Sequence, residues 1–170
     1  ATPHVDTAIR VALRDAHEAF RLLLEGSPFG LYVVDDGLRG SDAIATSAIL
    51  AAVIGSRGFD LVIFGSESTD ARMSVVPAMV AERLGWAQLT FAQKVEVSGS
   101  TVTIERVTDS GFATVTASTP AVVSVVEKIN EPRYPSFKGI MAAKKKPVET
   151  VSVAETGVDA ALVGAAAAWS

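Results

Sequence analysis

Three short apolar runs constrain this chain more than anything else in it: LYVV at 31–34, the LVIF of DLVIFG at 60–65, and AVVSVV at 121–126. Each is too short for a helix, and none alternates. That is the pattern of a strand covered on both faces, as in parallel sheets. Between them lie helical stripes. From Asp6, a candidate N-cap, the residues Ile9, Leu13, Ala16, Phe20 and Leu23 or Leu24 share one helix face that ends near Gly26. Ser41 is the candidate cap of a second helix carrying Ile44, Ala48, Ala51 or Ala52, and Ile54. A third runs over VVPAMVAERLG at 75–85, with Pro77 in its first turn. Strands that alternate with helices build a parallel sheet, because parallel neighbours need crossovers.

The pattern changes at Leu89. Val95 and Val97 alternate with polar residues, Ser98, Gly99 and Ser100 make a turn, and Val102 and Ile104 alternate again, which predicts a β-hairpin. FATVTAS at 112–118 adds a third antiparallel piece. After the run at 121–126 comes INEPRYPSFKGIMAAKKK at 129–146, then a strand-like stretch at 148–153 and an alanine-rich helix from about Asp159. The expected fold is α/β: one domain over 1–170, three layers α/β/α, with a mainly parallel, doubly wound, Rossmann-like sheet and a β-hairpin excursion.

With 49% hydrophobic and 20% charged residues over 170 positions, the chain has enough apolar mass for one core. A net charge of -4 argues against nucleic-acid binding, which needs a basic field. No apolar run approaches the length of a membrane span. The absence of cysteine excludes a disulfide scaffold, a thiolate metal site and a catalytic thiol, and favours the cytoplasm. Lys144, Lys145 and Lys146 read as a solvated helix end.

In an open parallel sheet ligands bind beyond the carboxyl ends of the strands, so the loop GSESTDARMS at 65–74 is the place for a site. Gly65, Ser66, Ser68, Thr69 and Ser74 supply hydroxyls and backbone N–H groups beside a helix N-terminus, which suits a phosphate; the competing reading is a capping loop that binds nothing. The spacing matches neither GxGxxG nor the P-loop, and no lysine is present, so nucleotide hydrolysis is not expected. Glu67 and Asp70 suit a ribose hydroxyl better than a metal, for which two acids are too few. His4 and His17 read as surface residues and Asp35 and Asp36 as turn residues, so no catalytic residue and no metal site are expected.

The order DDGLRGSDAIATS, DLVIFGSESTD, VPAMVAERLGWAQLTF, VTIER and PAVVSVVEKINEPRYPSFKGIMAAKKK closely resembles the beta subunit of electron transfer flavoproteins, a group that includes nitrogen-fixation-associated forms. NEPRYPS followed by GIMAAKKK is its most specific element. The resemblance implies an electron carrier, not an enzyme. Its FAD would be held mainly by an alpha subunit in a heterodimer, with AMP at Gly65, Ser66, Glu67, Ser68, Thr69, Asp70, Ser74, Val75 and Val76. It implies that 129–146 is a recognition loop for flavin dehydrogenases, using Asn130, Glu131, Pro132, Arg133, Tyr134, Pro135, Ser136, Phe137, Ile140 and Met141, with Phe137 where the family carries an anchoring leucine. Residues 148–170 would begin a C-terminal arm. The alternatives are an electron-bifurcating form with a second FAD in this subunit, or a nucleotide-binding or scaffold homologue without AMP.

The sequence departs from that pattern in three places. Ala71 to Val76 replace the glycine-rich continuation after STD, so their side chains are expected to crowd a backbone phosphate cradle. Val107 replaces the glutamate that pairs with an alpha-subunit arginine. The opening ATPH resembles an internal turn of the family, which implies that a strand, helix and strand are missing from an incomplete chain or from a divergent homologue.

Overall fold

The computed structural model describes residues 42–68, 72–131, 137, 141 and 151–163. The elements are α1 (Ala43–Gly55), β1 (Leu61–Gly65), α2 (Val76–Leu84), β2 (Ala87–Ser98), β3 (Thr101–Thr108), β4 (Gly111–Ser118), β5 (Ala121–Val125), α3 (Val153–Thr156) and a 3-10 turn at Ala160–Leu162. The expected first helix and the strand at 31–34 lie outside the described residues, as do His4, His17, Asp35, Asp36 and Lys144 to Lys146.

The α/β expectation holds. The five strands form one sheet in the order β1-β5-β2-β3-β4. β5 lies between β1 and β2 and is parallel to both, while β2, β3 and β4 form an antiparallel meander. The hairpin is thus no excursion from the sheet but its continuation.

Alternation along the strands sorts side chains onto two faces. One face carries Val62, Phe64 and Val122, against which α1 sets Leu50, Ala51 and Ile54 and α2 sets Val80 and Ala81. The other carries Ile63, Leu89, Ala92, Val102, Ile104, Ala121, Val123 and Val125. Each fully buried Ile, Leu or Val contributes about 1.5–3 kcal/mol of transfer free energy. Trp86 packs beside the first cluster, at the handover from helix to strand where the sequence put it.

α1 differs from the expected single stripe. Ala45, Ser47, Ile49, Leu50, Ala51, Val53 and Ile54 are buried, whereas Ile44 is exposed. The helix is covered on a second side, where Ile49 and Val53 meet Val151, Val153 and Val163 from the C-terminal segment. A helix apolar all round belongs in such a sandwich. Its cap is Asp42, one residue beyond Ser41: the Asp42 Oδ1 accepts from the Ala45 N–H at 2.8 Å. α2 matches the sequence reading, with Pro77 in its first turn and Gly85 closing it in the left-handed region at φ 65°. Arg83, in the last turn of α2, donates from Nε to the buried Ser47 Oγ at 3.0 Å and from Nη2 to the Ile44 carbonyl at 3.3 Å, tying the two helices together.

The strand expected at 148–153 is corrected in its described part. Ser152 instead begins a helical turn, its N–H and Oγ both donating to Glu155 Oε2 at 2.7 Å. Ser-Val-Ala-Glu has the spacing of a helix start, which outweighs the β preference of the valines. The alanine-rich segment begins as the 3-10 turn after Asp159, whose Oδ1 accepts from the Ala161 N–H.

Candidate functional site

Because β1 and β5 are parallel neighbours with Gly65 paired to Val125, the loop that follows β1 and the segment that follows β5 leave the sheet side by side. These are the two stretches that the sequence singled out, and both lie beyond strand carboxyl ends, where an α/β sheet places its ligands.

In the first, Gly65 and Ser66 are half-buried, and Glu67 and Ser68 are exposed. Thr69 and Asp70 lie outside the described residues. The chain then returns through Arg72 at φ 50° and Ser74 at φ 57°, both in the left-handed region, into Val75 and α2. That conformation costs a residue with a Cβ roughly 1–2 kcal/mol relative to glycine. The expected crowding is therefore met by strain: non-glycine residues adopt the backbone that glycine would adopt freely. Ser74 Oγ donates to Glu67 Oε2 at 3.4 Å, joining the two limbs of the loop.

Val75 offers no side-chain hydrogen bond as the N-cap of α2, and the first turn contains no acidic residue. The first N–H groups of a helix have no partner within it, and neither the Val75 side chain nor an acid in the first turn caps them. Hydroxyls at Ser66 and Ser68 with an uncapped helix start form a donor set that fits a phosphate, while the exposed Glu67 carboxylate, an acceptor, fits a sugar hydroxyl. Val76 is half-buried against the core behind them.

The second stretch begins with a turn in which the Ile129 N–H donates to the Val126 carbonyl at 3.1 Å, and Ile129 packs on the sheet. Asn130 and Glu131 are exposed. Pro132, Arg133, Tyr134, Pro135, Ser136 and Ile140 lie outside the described residues. Phe137 and Met141 each have helical backbone and are 80% and 42% exposed. The Lys94 pKa is raised by its hydrogen bond and charge contact with Glu96 and by the nearby charge of Glu105.

Sequence reasoning passed over three residues that shape the sheet beside the site. Phe91, at φ 58°, bends β2 and donates its N–H to the Oγ of Ser124, which is buried within β5. Arg106 donates from Nε to the Thr90 carbonyl at 3.0 Å and from Nη2 to the Gln88 carbonyl at 3.2 Å. The one available signal was a serine inside an apolar strand, since a buried hydroxyl needs a partner.

A parallel core, an antiparallel extension and two helices packed on one face of the sheet define a domain of the α/β class. The Electron transfer flavoprotein domain matches residues 21–156, and the chain belongs to that family. It is 49% identical over 166 residues, 96% of its length, to the electron transfer flavoprotein subunit beta of Mycobacterium bovis, and 50% identical over the same share to that of Mycobacterium leprae. The corresponding subunit of Bradyrhizobium diazoefficiens is 37% identical over 152 residues, or 89% of this chain. The chain spans 62% of the length of the two mycobacterial relatives and 60% of the third. Among the described residues no helix is long and apolar enough to cross a membrane.

Proposed function

We propose that this chain acts in the beta subunit of a heterodimeric electron transfer flavoprotein, a cytoplasmic carrier that receives electrons from flavin dehydrogenases and passes them to a respiratory or other acceptor. The observation that carries the reading is the family match across 21–156, combined with a phosphate-compatible loop at the carboxyl end of β1. FAD, bound mainly by the alpha subunit, supplies the redox chemistry, so this chain is a carrier component and not a catalyst with its own nucleophile or base.

AMP occupies the loop in this reading. Its phosphate lies at the α2 N-terminus near Ser66, Ser68 and Ser74, flanked by Gly65, Thr69, Val75 and Val76, and its ribose faces Glu67 and Asp70. Partner dehydrogenases meet the stretch from Asn130 to Ser136 together with Phe137, Ile140 and Met141. The exposure of Phe137 supports that role, because a single apolar side chain held out in water is the type of anchor a transient interface uses.

The deciding measurement is made on the full-length protein co-expressed with its alpha subunit. The purified complex is denatured and the released FAD and AMP are quantified against protein. One of each per heterodimer is expected; two FAD would replace this reading with the bifurcating form, and FAD without AMP would leave a carrier whose strained loop no longer binds nucleotide. Phe137→Ala should slow electron transfer from a dehydrogenase at least tenfold with unchanged thermal stability, and unaltered transfer would remove the docking role.

A further inference from the structure

β2 changes neighbours partway along. Ala87, Gln88 and Leu89 pair with β5, Lys94 to Ser98 pair with β3, and Ala92 belongs to both ladders. Between Leu89 and Lys94 the register slips twice, once against each neighbour. Each slip exchanges the two faces, and the second reverses the first. Leu89 and Val95 therefore end on the same face, with only Ala92 out of phase between them.

This double bulge opens a gap. Beyond Arg106, which pairs with Ala92, Val107 and Thr108 pair with Phe112 and Gly111 of β4 and not with β2. The Gln88 and Thr90 carbonyls, two residues apart on the same side of β2, thus have no strand beside them among the described residues. The Arg106 guanidinium takes both. Its two N–H groups repeat the spacing with which a strand would have satisfied them. On the opposite side of the bend the buried Ser124 hydroxyl holds the Phe91 N–H. The bend is pinned by one side chain on each side, where a regular sheet would use backbone.

We infer that this junction is a hinge between the parallel core and the β2–β4 meander, with Arg106 as its releasable latch and Ser124 as its fixed post. The two pins are unequal. Ser124 is 1% exposed, whereas the bond from Arg106 to Gln88 is open to water, which competes for both groups. Among the described residues no carboxylate lies in ion-pair range of Arg106, so two neutral carbonyls alone hold the guanidinium in place. Releasing it lets the β2–β3 ladder loosen from its Arg106 end, so that the meander changes its angle to the core while the parallel pairing stays closed. The parallel pairing of β1, β5 and the start of β2 contains none of the bonds that must open.

Amide hydrogen exchange on the full chain tests this, comparing R106M, which keeps the stem and removes the donors, with R106K, which restores one or two donors, and with S124A. The R106M change should accelerate exchange in the paired residues of β2 and β3 from Lys94 to Arg106 at least tenfold, leave β1 and β5 at wild-type rates, and be partly rescued in R106K. The S124A change should act on the Phe91 amide. Unchanged exchange in R106M, acceleration shared equally by β1 and β5, or no rescue by lysine would overturn the latch. If R106M does not fold, R106K is read in the same way, with local loosening supporting the hinge and uniform or absent loosening overturning it.

Discussion

β5 and β4 are both free of charged residues, yet every residue of β5 is buried and none of β4 is. β5, AVVSV, lies between two parallel neighbours with apolar clusters on both of its faces. β4, GFATVTAS, is the last strand of the order and pairs, among the described residues, only with β3. The lesson is that neutrality does not predict burial. What separates the strands is the β-branched hydroxyl residue: the threonines of β3 and β4 face solvent, where Thr103 and Thr116 share a hydrogen bond at 3.0 Å, and β5 has none.

That contrast can be broken most severely by placing a charge in each strand. Val123→Asp should unfold the protein, because an unpaired carboxylate at a fully buried position costs more than about 4 kcal/mol. Thr114→Asp should leave the melting temperature within a degree or two, and comparable losses in the two variants would show that β4 is covered. A middle-sized effect belongs to the helical side of the core. Asp42→Ala removes the bond to the Ala45 N–H and should cost about 1 kcal/mol in chemical denaturation, with no change in m-value.

The smallest effect lies on the meander surface. Lys94, beside Glu96 and Glu105, has a pKa raised above its ordinary value, so its contribution to stability is complete below the unfolded-state lysine pKa and is lost only as pH rises through the higher folded value. Because the pair is exposed, that contribution is small even where it is complete, so Lys94→Met should match the wild type in melting temperature at neutral pH to within error, and a measurable loss there would reveal a contact beyond this ion pair.

Much of this was legible in the order of residues. The runs LVIF and AVVSVV became strands, the second fully buried and the first only half-buried, the turn at Ser98 to Ser100 joined β2 to β3, and Pro77 and Gly85 bounded a helix as local chemistry requires. Of the candidate site, the sequence indicated the loop at 65–76 and the exposed Phe137, but it suggested that residues with side chains after Asp70 would obstruct the backbone. The structure has Arg72 and Ser74 adopting that backbone with strain. Ile44 and Val97 continue apolar patterns and are nevertheless exposed, because a repeat identifies a face without identifying how far its cover extends.

The sequence by itself determined most of the described elements and the family, since strand alternation, helix caps and turn residues act over a few positions and short motifs persist as text. Only the tertiary structure decided that β5, some sixty residues after β1 in the chain, inserts between β1 and β2, that the meander continues the same sheet, and that Arg106 and Ser124 meet the bend at Phe91. Those facts depend on which distant segments exclude water together and which backbone groups are left needing a partner. Neither condition exists until the chain has closed on itself.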